Sequence, residues 1–148
     1  MEADAMGQLT MRPSVTYLHL LRHTPFFTAL DSTQQQWVIN HSKEWQVNQG
    51  GVITTTSSAG DYWILLDGEW QLECGEKHYP SKHNDPAKWF RASMVMHDCK
   101  LVATETSYVM LITQVDMQTM LNNGFAFHMH LDIGRSHYQQ IFPIRSSP

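Results

Sequence analysis

The strongest constraint on this 148-residue chain is the stretch 45–72, WQVNQGGVITTTSSAGDYWILLDGEWQL. Val47, Val52 and Ile53 lead into a bend rich in Thr, Ser and Gly at 54–61. Tyr62, Trp63, Ile64, Leu65 and Leu66 then form an unbroken apolar run of β-favouring residues. Asp67-Gly68 ends that run, and two residues able to take positive φ between apolar strands predict a hairpin. Trp70 and Leu72 resume alternation, so the stretch reads strand, turn, strand, turn, strand.

Around it the chain alternates between helix and strand signals. Residues 1–13 lack periodicity and end in Pro13, which predicts a disordered tail. Tyr17, Leu18, Leu20 and Leu21 recur at helical spacing behind Ser14, and Pro25 stops that helix. A second helix starts at Asp31-Ser32, with Ser32 and Gln35 fitting a capping box and Trp37, Val38 and His41 as its inner face. Residues 74–90 read as a hairpin turn followed by an irregular loop around Pro80, Asn84-Asp85 and Pro86. Strands are expected at 100–102 and 108–112, then a short helix at 116–121 that Asn122-Asn123-Gly124 terminates. A last helix is expected over about 125–142.

These residues carry a resemblance. Gly50, Ile53, Leu65 and Gly68 stand where the cyclic nucleotide-binding domain of catabolite activator proteins and protein kinase A regulatory subunits has its Gly, Ile, Ile and Gly, without gaps. LRHTPFFTAL at 21–30 is similar to the segment that leads into that domain. ATETSYVMLI at 103–112 resembles its last two strands, and 115–121 its exit helix. Gly51 and Thr56 depart from the pattern. The resemblance implies a mainly β fold with flanking helices, an antiparallel β-roll (a double-stranded, jelly-roll-like β-helix). It divides the chain into a tail at 1–13, the domain at 14–121, and a C-terminal helix and tail at 122–148.

The same resemblance locates a ligand site and strips it. In the family a short helix N-terminus and one Arg hold the cyclic phosphate, while a Gly-Glu pair holds the ribose. Aligned from both sides, the Arg falls on His97, the next hydroxyl residue on Asp98, and the Gly-Glu pair on Arg91 and Ala92. A neutral imidazole lacks the guanidinium fork, and Asp98 repels phosphate. Loss of an Arg from a desolvated pair costs about 2–5 kcal/mol. The phosphate-binding cassette is degenerate, 90–97 is too short for its helix, and the adenine-contacting positions of the last helix fall near Phe142 and Pro143. Arg91 is the one cation placed to swing in as a replacement. The expected ligand-binding residues are Trp63, Trp89, Phe90, Arg91 and His97, lining an aromatic cavity for a small ligand other than cAMP or cGMP; the competing reading of Trp63, Trp70 and Trp89 is plain core.

Other chemistries leave weaker marks. Net charge is −4 with ten Lys and Arg, none clustered, so a nucleic-acid surface is not expected, and only six residues follow Phe142, too few for a DNA-reading domain. No apolar run spans a membrane and no secretory signal opens the chain, which leaves a cytoplasmic address. Cys74 and Cys99 are expected as free thiols. Cys74, His78 and His83, with His97 and Cys99 nearby, match no tight zinc spacing and read as loop and surface residues, so neither metal nor cofactor is expected. His128-Met129-His130 has the spacing of a cupin metal pair, a metal-dependent enzyme reading that holds only if 125–142 is not a helix. The readings carried forward are a non-catalytic ligand sensor, a protein-interaction scaffold without ligand, and that cupin-like enzyme. The apolar face of the last helix suits a homodimer seam or its own roll.

Overall fold

The computed structural model describes residues 24–56, 60–95 and 98–142; the tail at 1–13, the helix expected behind Ser14, and His97 lie outside them. Eight strands follow one helix and precede two. They are α1 (Ser32–Asn40), β1 (Lys43–Val47), β2 (Val52–Thr55), β3 (Tyr62–Asp67), β4 (Glu69–Cys74), β5 (Lys77–Lys82), β6 (Trp89–Phe90), β7 (Lys100–Ala103), β8 (Ser107–Ile112), α2 (Gln114–Asn122) and α3 (His128–Ile141). The strands form two four-stranded antiparallel sheets, ordered β1-β8-β3-β6 and β2-β7-β4-β5.

The apolar run of β3 is continuous because both of its faces are covered. Tyr62, Ile64 and Leu66 pack with Phe26, Phe27, Val38, Met117, Met120 and Leu131 in a helix-side core. Leu65 faces the other way, into the roll, with Val47, Trp70, Leu72, Phe90 and Leu101. The register agrees with that parity: Ile64 lies opposite Met110 and Leu65 opposite Val109. Each pair shares a face, as directly opposed residues of antiparallel strands must.

Asp67-Gly68 is not a hairpin turn. β3 and β4 belong to different sheets, so the dipeptide is the corner at which the chain leaves one sheet for the other. The requirement for glycine survives the correction. Gly68 has φ 101°, and a Cβ there would collide with Ser107, whose Cα lies 2.8 Å away. The Ser107 hydroxyl accepts from Glu69 N at 3.1 Å, tying β8 to the corner. The true hairpin is β4–β5, turning at Gly75 with φ 65°.

Four further expectations shift. The N-cap of α1 is Asp31, not Ser32: its Oδ1 accepts from Gln34 N at 2.8 Å, and Gln34 Oε1 accepts from Asp31 N at 3.1 Å. Three consecutive glutamines allow either register in the sequence. On α1, Val38 is fully buried, whereas His41 lies exposed and stacks on Trp37 at 3.6 Å. The last helix starts at His128, because Phe125 and Phe127 are spent in the helix-side core ahead of it. The thiols are also joined: Cys74 and Cys99 form a disulfide with Cα atoms 4.4 Å apart. The register explains it, since Glu73 opposes Lys100 and the next residues outward are the two cysteines.

Glu44 is the exception to a well-matched core. It stands on β1 opposite Met110, only 5 % exposed, and neither carboxylate oxygen has a hydrogen-bond partner. Burial pushes its pKa up from 4.5 to about 8. The folded chain therefore keeps a proton the unfolded chain releases. Its contribution is present below pH 4.5 and is lost as pH rises toward 8. In urea unfolding, Glu44→Gln is expected to gain stability over wild type as pH rises, by about 3 kcal/mol between pH 4.5 and 7. Parallel pH profiles for the two proteins would contradict this. Gly68→Ala is expected to lose about 2–4 kcal/mol in the same assay, from positive φ and the clash with Ser107; an unchanged midpoint would contradict it.

Candidate functional site

β6 is two residues long, and those residues divide the site. Trp63 lies opposite Phe90, and Ile64 opposite Trp89. Phe90 therefore enters the roll, where it is fully buried and Trp63 packs against the same cluster. Trp89 projects from the other face into the helix-side core. The structure brings Trp63 and Phe90 together and puts Trp89 behind the sheet from them. Trp63 instead meets Trp45, their rings 5.4 Å apart.

Arg91 follows the same parity. One step beyond the Trp63–Phe90 pair it falls opposite Tyr62, and its guanidinium carbon sits 4.6 Å from the centre of that ring. Its Nε donates to Gly60 O at 2.7 Å. The cation is thus held on the helix side of the sheet, turned away from the roll interior. It does not take the place of the missing family Arg in this arrangement.

After Arg91 comes a single 3-10 turn, Ala92–Met94, too short for the family's cassette helix. Two of its amides are used internally: Met94 N donates to Arg91 O at 3.0 Å and Val95 N to Ala92 O at 3.2 Å. Ala92 and Val95 are buried in the roll with Leu72, Phe90 and Leu101. The segment after β6 thus turns two aliphatic side chains into the roll.

α3 closes over the back of this segment through one residue. The Trp89 indole donates to His130 O at 2.9 Å, and Tyr138 Oη donates to Trp89 O at 2.8 Å. Gly134 lies between them on the helix. A Cβ there would run into the Trp89 ring, with Cε2 at 2.7 Å, and into Pro86 O at 2.9 Å. The phenol of Tyr138 is pushed far up by burial and stays protonated as a donor. His130 stacks on Phe26 at 5.4 Å. Burial, helped by the charge of Lys88, holds its imidazole below the usual pKa, so it is neutral at pH 7. Lys88 is itself buried and lowered by burial, against the pull of Asp85.

Two grooves open at the same end of the roll. The larger, about 510 Å³, is lined by Thr55, Thr56, Glu73, Gly75, Asp98, Cys99 and Lys100. The other, about 360 Å³, lies among Cys74, Lys77, Tyr79, Asp98, Ile141 and Phe142. Phe142 meets Tyr79 edge-on at 5.4 Å, so the end of α3 rests on β5 beside the smaller groove. Carboxylates and ammonium groups are mixed in both grooves.

The remaining candidates separate. Among the described residues no three His, Cys, Asp or Glu side chains converge. The cysteines are consumed in the disulfide, His78 is exposed on β5, and His83 lies 3.9 Å from Asp67. His128 and His130 sit on α3, where residues two apart diverge. No helix among the described residues is long and apolar enough to cross a membrane.

No protein-family model and no curated protein sequence matches the chain. Solved structures do. The chain is similar to the regulatory subunit of a cAMP-independent protein kinase A from Trypanosoma brucei, at 16 % identity and TM-score 0.62, covering 86 % of this chain and 50 % of that one. It is similar to the sensor domain of the transcriptional regulator DNR from Pseudomonas aeruginosa, at 18 % identity and TM-score 0.58, covering 88 % of this chain and 99 % of that one. The CO-dependent transcription factor CooA from Carboxydothermus hydrogenoformans matches at 12 % identity and TM-score 0.60, over 78 % of this chain and 52 % of that one.

The chain has a cyclic nucleotide-binding-domain-like fold. The sequence pointed to Trp63, Trp89, Phe90, Arg91 and His97 as ligand residues, and it did not bring out the contacts that Gly134 and Tyr138 make with Trp89. A lone glycine inside a helical pattern was the available signal of close approach. Gly134→Ala is expected to destabilise the domain by about 2–4 kcal/mol in chemical denaturation, despite alanine's better helix propensity, because Trp89 has nowhere to move. Tyr138→Phe removes only one hydrogen bond and is expected to cost about 1 kcal/mol. Equal stability of Gly134→Ala and wild type would contradict the packing described.

Proposed function

We propose that this chain is a non-catalytic regulatory domain that senses a small ligand other than a cyclic nucleotide, at the end of the roll where the β4–β5 hairpin, the start of β7 and the end of α3 meet. The observation that carries this reading is the packing of Ala92 and Val95 into the roll where an anion cradle would be needed, with Arg91 turned to Gly60 and Tyr62. A phosphate gains nothing from aliphatic groups, and Asp98 beside the grooves opposes it. Glu73, Asp98, Lys77 and Lys100 together favour a neutral or zwitterionic molecule. Trp63 and Phe90 pack inside the roll beneath this end, while Trp89 supports the sheet from behind.

The similar structures support regulation as the class of function. They include a kinase regulatory subunit described as cAMP-independent and a sensor domain of a transcriptional regulator. A scaffold that binds a protein partner without ligand is the second reading, favoured by Met129 and Ile133, which are exposed one turn apart on α3. Homodimerisation through that helix belongs to the same reading.

Thermal denaturation with a ligand panel separates these. Neither cAMP nor cGMP at millimolar concentration is expected to raise the melting temperature. A non-nucleotide ligand present at about one hundred times its dissociation constant is expected to raise it by about 5–10 °C. Saturable cAMP binding that Arg91→Ala abolishes would overturn the proposal.

A further inference from the structure

The disulfide occupies a position its structural role does not require. Four register pairs, from Trp70 opposite Ala103 to Glu73 opposite Lys100, already hold β4 to β7, and Cys74–Cys99 is the next rung outward. On its other side Cys99 is held independently of the bond. Cys99 N donates to Thr56 Oγ1 at 3.1 Å, and Thr56 N donates to Cys99 O at 3.1 Å. Breaking the sulfur bridge leaves the β2–β7 attachment intact and releases only the tip of the β4–β5 hairpin.

What lies at that tip is the pair of grooves. The groove of about 510 Å³ is lined by Cys99 and the groove of about 360 Å³ by Cys74, while Gly75 and Asp98 line both. The bridge is the partition between them. Gly75, with φ 65° and no atom within 4 Å of a Cβ position, gives the hairpin tip room to swing once the partition opens. Cys74 is half-buried where Cys99 is buried, which makes Cys74 the more accessible of the two residues to an incoming thiolate.

We propose that Cys74–Cys99 is a thiol-exchange site whose reduction by a dithiol joins the two grooves into one cleft. The thiolate of the dithiol attacks Cys74 Sγ, forming a mixed disulfide there while Cys99 leaves as thiolate and takes up a proton. The second thiol of the reductant then displaces Cys74, which also ends as a thiol, and the reductant leaves as a cyclic disulfide. Two electrons and two protons pass from the dithiol to the protein. The exchange stands without any ligand; its effect on ligand access rests on the site proposed above.

The experiment uses the full chain, oxidised in air and then treated with dithiothreitol without denaturant. Thiols are counted by a chromogenic disulfide reagent, and backbone hydrogen exchange is followed by mass spectrometry. The expected result is no free thiol before treatment and two after. Exchange is then expected to rise about tenfold or more in peptides covering 74–77 and 92–99, with β3 and β8 unchanged. A Cys74→Ser, Cys99→Ser double variant is expected to show the reduced profile in both buffers. Three results would overturn the inference: free thiols in the oxidised protein, a bond that resists reduction until the chain is denatured, or faster exchange spread across β3 and β8. None of these readouts involves a ligand, so an inert ligand panel cannot be mistaken for failure of the exchange site.

Discussion

The indole of Trp89, donating to a helix carbonyl while its own carbonyl accepts from Tyr138, is the contact on which the arrangement of the site depends. A strand of only two residues has little ladder of its own, and β6 is placed as much by α3 as by β3. Because side chains alternate across a strand, fixing Trp89 toward the helices fixes Phe90 toward the roll and Arg91 back toward the helices. The orientation of Trp89, Phe90 and Arg91 thus follows from one buried ring and from the glycine that lets α3 approach it.

The fold and the anion grip are separable in physical terms. The roll is held by β3 and β8, whose apolar side chains are buried on both faces, and by glycine at the Gly68 corner. None of these groups is a ligand residue. A chain can therefore lose the Arg, the Gly-Glu pair and the cassette helix and keep the container, because the energy of the container lies in burial of area rather than in the site. Here Ala92 and Val95 turn into the roll after β6 and add to its core.

How much of this was legible in the sequence depended on the range of the interaction. Local patterns were readable: the strands of the 45–72 stretch, the short helix ended by Gly124, and the need for glycine at 68. Readings that required a partner far along the chain were not. Asp67-Gly68 looks the same whether the next strand pairs with the last or crosses to another sheet, and only the positions of β7 and β8 decide. The disulfide needed the Glu73–Lys100 register, and the separation of Trp63 from Trp89 needed the register of β6 on β3. Glu44 carries no sequence sign of burial because it stands between Lys43 and Trp45 on an edge strand. For Trp89, Phe90 and Arg91, which side of the sheet each would fall on was beyond reach of the sequence.

The central claim is that the segment after β6 offers packed aliphatic side chains and no grip for an anion, with α3 locked on Trp89. A two-dimensional ¹H–¹⁵N titration with cAMP, following the amides of 92–95 and the Trp89 indole, tests it most directly. The account predicts that neither set moves at millimolar nucleotide. Saturable shifts in those amides, accompanied by displacement of the indole resonance, would contradict it.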